Sequence, residues 1–217
     1  MRNHRRDFQL TTDSVKVTKV SAKAFRDAEE WFVAQAFEKE WKDTEKITQP
    51  VSERRMYPPK PGRKMCNVGF TFDNNKRIAG GGWVLRNKRG VVLLHSRRSF
   101  TGIKTKDETR FEVMLWAAES MKSHRQTKII MAGEFSELFG AVQRPEAWPS
   151  FLFHGTKIRR ELSGVEEFEL SVVNRNANRG AFFIAQSVTN LGFDNSYVAV
   201  GHPPWLFEFF VNESRLF

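Results

Sequence analysis

The residues with the plainest chemistry in this chain are cations, and they come in groups. Lysine and arginine cluster at 2–6, 54–64, 86–89, 97–98, 104–106 and 157–160. Several of these groups sit in or beside predicted turns, where they can track phosphates without reading sequence and with strong dependence on salt. The formal charge of +10 suits a polyanion, either nucleic acid or an acidic membrane surface. The plainer reading is a scattered, solvated basic surface. Other chemistries find little support. None of His4, His95, His124, His154 and His202 stands at metal-ligand spacing from another, which argues against zinc. His154 reads as a satisfied, half-buried histidine. Cys66 is the single cysteine; it permits no intrachain disulfide, suits an intracellular setting in nucleus or cytoplasm, and reads as an inert core thiol. No Gly-x-Ser-x-Gly elbow occurs. No apolar run approaches the ~18 residues of a membrane span, and the start lacks the apolar core of a secretory signal.

These side chains must be positioned by elements, and the elements are legible. Residues 1–20 read as a basic, loosely ordered start, 21–42 as a helix with Phe25, Ala28, Phe32 and Ala36 at helical spacing, and 43–63 as a proline-containing linker. A domain is expected over 64–192. It opens with strands at about 65–73, 78–86 and 91–99, joined by turns short enough to make an antiparallel meander. A helix follows at about 107–123, then a buried strand at 128–132 and helices at 134–143 and 150–162. A fifth strand at 166–173 precedes a last helix at about 179–190. The order β-β-β-α-β-α-α-β-α predicts a mixed α/β layer structure. In the first strand Cys66, Val68, Phe70 and Phe72 share one face, and Asn67, Gly69, Thr71 and Asp73 the other. A glycine inside so regular a strand packs nothing and calls for a reason. The run Gly80–Gly82 precedes no helix, so it is expected to serve close packing or a bulge rather than a phosphate. Residues 193–217 form an aromatic tail, expected either to pack on the domain or to dock a protein partner.

The element order and four local phrases resemble the ribonuclease H fold, and more narrowly the plant ribonuclease H-like domains related to retroelements. The phrases are Pro58-Pro59 leading to Lys64-Met65-Cys66-Asn67-Val68, Ala79-Gly80-Gly81-Gly82-Trp83-Val84-Leu85-Arg86, Leu115-Trp116-Ala117-Ala118, and Arg175-Asn176-Ala177-Asn178-Arg179. They span about residues 58–190. The resemblance implies a five-stranded sheet, three strands antiparallel and then two parallel, flanked by helices and preceded here by the N-terminal helix. It also implies phosphodiester hydrolysis by two Mg²⁺ ions about 4 Å apart, held by converging carboxylates.

Carried over position by position, the family's four carboxylates fall on Gly69, Arg110, Glu134 and Phe182. Asp73 lies roughly 13 Å along the strand from Gly69 and cannot substitute. Glu112 is turned about 200° from Arg110, to the opposite side of its helix. A guanidinium 4 Å from a cation repels each unit of its charge by about 4 kcal/mol at an effective dielectric of 20. The expectation is therefore no catalytic residue, no metal and no cofactor, the ancestral Mg²⁺ site being lost. Nucleic-acid contacts are expected from Arg86, Lys88, Arg89, Arg110, Arg175 and Arg179. Three functions compete. They are a non-catalytic nucleic-acid-binding module for an RNA–DNA hybrid or structured RNA, a protein scaffold using the aromatic ends, and a residual RNA–DNA hybrid ribonuclease.

Overall fold

Alternating apolar residues build β1 (Lys64–Asp73), and antiparallel hairpins add β2 (Ile78–Arg86) and β3 (Val92–Thr101) beside it. The computed structural model describes residues 58–192 and 195–215. All of them belong to one of the chain's two units, Pro50–Phe217. The basic start at 1–20, the helix at 21–42 and the linker as far as residue 57 lie outside the described residues.

After the meander comes α1 (Lys106–Ser123). Thr105 caps it by accepting from the Glu108 N–H at 3.0 Å, while the Glu108 carboxylate accepts from the Lys104 N–H at 2.7 Å. That start sets the phase which brings Arg110 round in the second turn. β4 (Lys128–Gly133) then pairs in parallel with β1, and β5 (Glu167–Val172) in parallel with β4. Between them run α2 (Ser136–Gln143) and α3 (Leu152–Leu162). A 3-10 turn at Arg175–Asn178 leads into α4 (Arg179–Leu191).

The sheet holds six strands rather than five, in the order β5-β4-β1-β2-β3-β6. The sixth, β6 (Tyr197–Val200), comes from the aromatic tail and pairs antiparallel with β3. Four residues are too few for their alternation to stand out in a sequence. The tail continues into α5 (Phe207–Ser214), and Trp205, Leu206 and Phe210 are buried, so it packs on the domain. Among the described residues no helix is long and apolar enough to cross a membrane.

One face of the sheet carries the main core. Cys66, Val68, Phe70, Trp83 and Leu85 meet Met114, Ala118 and Met121 of α1, Phe135 and Phe139 at α2, and Ile158 and Leu162 of α3. Burial pushes the Cys66 thiol far up, as an inert core thiol requires. On the other face, β1 and β2 present glycines where α4 crosses them, and the helix lies directly on that patch. A Cβ on Gly69 would stand 2.5 Å from the backbone of Ala181 and Phe182, and one on Gly82 would stand 2.6 Å from the Ala181 carbonyl oxygen. Gly69 and Gly82 are register partners across β1 and β2, so the two form one smooth patch under the helix. The glycine run thus serves close packing, while the strand irregularity falls at Leu85 and Arg86.

Candidate nucleic-acid interface

The start of α4 is tied to β1 beside Gly69. Asn174 opens the 3-10 turn by accepting from the Ala177 N–H at 2.9 Å, and the buried Asn178 amide donates to the Val68 carbonyl at 2.7 Å. Further along, the Thr71 hydroxyl donates to the Ala185 carbonyl at 3.1 Å. These ties hold the helix against the glycine strand.

Where β1, the end of β4 and the start of α4 meet, they leave a cleft of about 200 Å³ open to solvent. Val68, Gly69, Phe70, Glu134, Arg175, Asn178 and Phe182 line it. Three of the four positions singled out from the sequence, Gly69, Glu134 and Phe182, therefore converge although they come from three elements. Arg110 stands next to them, its guanidinium 5.6 Å from the centre of the Phe70 ring. Glu112 is not among the lining residues. Asp73 belongs to the β1–β2 turn, where its Oδ1 accepts from the Asn75 and Lys76 N–H groups.

Two ion pairs, Arg175 with Glu134 and Arg110 with Asp107, set the electrostatics at the cleft. Arg175 lies over the Phe182 ring at 4.4 Å, and its Nε stands 3.3 Å from the Glu134 carboxylate. The one carboxylate in the lining is thus already paired. Arg110 pairs with Asp107 at 3.2 Å, and its buried Nε has no hydrogen-bond partner among the described residues. The Glu137 carboxyl is held below the usual range, chiefly by its own backbone N–H and the Ser136 hydroxyl, with the charge of Arg110 contributing. Among the described residues no three His, Cys, Asp or Glu side chains gather as a metal site would need. The residues present do not fit a pair of Mg²⁺ ions: Gly69 has no donor and no room for one, Phe182 has no oxygen, and Glu134 is bound to an arginine.

The remaining predicted contacts divide. Lys88 and Arg89 are exposed in the β2–β3 turn, at the end of the sheet away from the cleft. Arg179 is half-buried beside the Phe183 ring at 5.7 Å. Arg86 is a correction. It is fully buried, 2.5 Å from the Glu213 carboxylate, bonded to Asn67 Oδ1 at 3.1 Å and stacked on Phe210 at 5.0 Å. Its charge holds the tail to the sheet and is withdrawn from any phosphate. His154 is half-buried as expected, but its Nδ1 has no hydrogen-bond partner among the described residues and aromatic rings surround it. Burial pushes the His95 ring down to about 4, and it bonds the Gly201 carbonyl rather than any ligand. Phe70 and Phe182 were missed as partners for cations. Phe70 carries the signature of a core strand residue, and its arginine is forty residues away.

Solved structures share this architecture. Ribonuclease H1 from the halophilic archaeon Halobacterium salinarum is 20% identical, with a TM-score of 0.53 over 59% of this chain and 98% of its own. The N-terminal ribonuclease H domain of a Mycobacterium tuberculosis protein is 15% identical, with a TM-score of 0.51 over 59% and 94%. LC9-RNase H1, described as a type 1 enzyme with a type 2 active-site motif, is 12% identical, with a TM-score of 0.53 over 72% and 86%. No curated protein is significantly similar to the chain in sequence. The profile of reverse transcriptase-like proteins matches residues 66–188, more than half of the chain. With its ribonuclease H-like fold, the chain belongs to the reverse transcriptase-like family.

Proposed function

We propose that this protein binds nucleic acid, an RNA–DNA hybrid or a structured RNA, without hydrolysing it. The observation that carries the reading is the pair of guanidiniums at the cleft, Arg175 over Phe182 and Arg110 over Phe70, where the resemblance leads one to expect acidic ligands. An arginine laid on an aromatic face is preorganised, and a phosphate reaching either fork takes the place of the carboxylate now paired with it, Glu134 on Arg175 and Asp107 on Arg110. The closeness of α4 to Gly69 supports the loss of the Mg²⁺ site, since no carboxylate fits between them. The +10 charge supports a polyanionic partner, and the single cysteine, Cys66, supports an intracellular place, in nucleus or cytoplasm. The family phrases around Cys66 and Ala177 support a plant, retroelement-related lineage. The scaffold reading keeps only part of its C-terminal surface: Trp205, Leu206 and Phe210 are buried in the domain, while Val198, Val200 and Phe207 stay exposed.

Arg110→Glu and Arg175→Glu test the reading. Each is expected to weaken binding of an RNA–DNA hybrid and to reduce the dependence of log affinity on log salt by about one counterion. Unchanged affinity and unchanged slope in both variants would overturn it.

A further inference from the structure

We propose that the N-terminal end of α3 is a stacking platform for an unpaired base adjoining the nucleic acid bound at the cleft; the inference rests on the nucleic-acid reading above. Large apolar side chains are uncovered there. Leu152 is 50% and Phe153 61% exposed, while Ile158 and Leu162 on the same helix are fully buried. The Phe153 ring is braced rather than loose. It meets the His154 ring edge-on at 5.6 Å and Phe111 at 6.4 Å, and the Lys157 ammonium lies 5.2 Å from its centre. A ring fixed in this way loses little freedom when a base stacks on it.

Charge and position select the occupant. Lys157, Arg159 and Arg160 line α3, and its one carboxylate, Glu161, is taken by Lys122 at 3.1 Å and Arg160 at 3.3 Å. An aromatic face with Lys157 beside it, on a helix that carries Arg159 and Arg160 in its last turn, suits a base flanked by phosphates. Helices α1 and α3 run side by side in the same direction: Phe111 meets His154 near their starts and Lys122 meets Glu161 near their ends. The platform therefore lies at the same end of the helix pair as Arg110, which precedes Phe111 and reaches over Phe70 in the cleft. A base inside a duplex has both faces covered by its neighbours, so the platform selects an unpaired one.

The test titrates the full chain with a blunt RNA–DNA hybrid and with the same hybrid carrying a short single-stranded extension. The extension is expected to tighten binding about tenfold. Phe153→Ala should abolish that advantage and leave the blunt affinity unchanged, while Phe153→Trp should keep it. Blunt binding with no gain from the extension, or a gain that survives Phe153→Ala, would overturn this inference alone. Absence of binding to either hybrid would overturn the nucleic-acid reading and this inference with it.

Discussion

Glu134 and Arg175 face each other across the cleft, and each limits what the other can do. The pair is partly exposed, with 26% and 47% of the two side chains open to solvent, so its own stabilising effect is small. Its effect on a ligand is larger, because the carboxylate fills the fork that a phosphate would use. Glu134→Gln removes both the competitor and a negative charge. Hybrid affinity measured without divalent metal is then expected to rise about two- to tenfold, a change of about 0.4–1.4 kcal/mol. Were Glu134 a metal ligand instead, the same variant would weaken Mg²⁺-dependent binding and leave metal-free binding unchanged. At this scale the sequence was informative about types and poor about partners. That Gly69, Glu134 and Phe182 come together could be read from position. Arg86 could not be read correctly, because a cation next to a turn looks exposed. The carboxylate that buries it, Glu213, lies in a tail assigned to no element.

Between elements, the decisive contact is α4 on the glycine face of β1 and β2. The Thr71–Ala185 and Asn178–Val68 hydrogen bonds fix the spacing, and Gly69 and Gly82 make it possible. Gly69→Asp would push a side chain into helix backbone and bury a carboxylate. Urea unfolding is expected to show a loss of at least about 1–3 kcal/mol, with no gain of hybrid cleavage in Mg²⁺. Gly69→Ala should lose stability by the same route, since the clash begins at Cβ. A Gly69→Asp variant as stable as the parent would show that the helix yields easily. β1 and α3 were legible from apolar residues recurring at the spacing of their geometry, β4 from a short continuous apolar run, and the hairpins from the turns between them. β6 was not, since its four residues pair with β3 across a hundred or more residues of chain. The glycine in β1 was legible as an anomaly, but the helix that explains it is brought there only by the fold.

At the scale of the whole molecule, the ribonuclease H-like fold brings two arginines, each paired with a carboxylate, to the cleft between β1, β4 and α4. The sheet order keeps the parallel pairing of β4 with β1 that brings Glu134 beside Gly69, and α4 delivers Phe182 to the same place. The protein's formal charge of +10 suits the proposed polyanionic partner. On the proposed reading the cleft would bind through counterion release, so affinity should fall steeply with salt and depend little on base sequence. The most direct test is to titrate purified protein with an RNA–DNA hybrid at two ionic strengths, with and without millimolar Mg²⁺, and to analyse the same samples for cleavage. The expected result is salt-sensitive binding that needs no metal and leaves the hybrid intact. Binding that requires Mg²⁺, or RNA fragments that accumulate when it is added, would contradict the account.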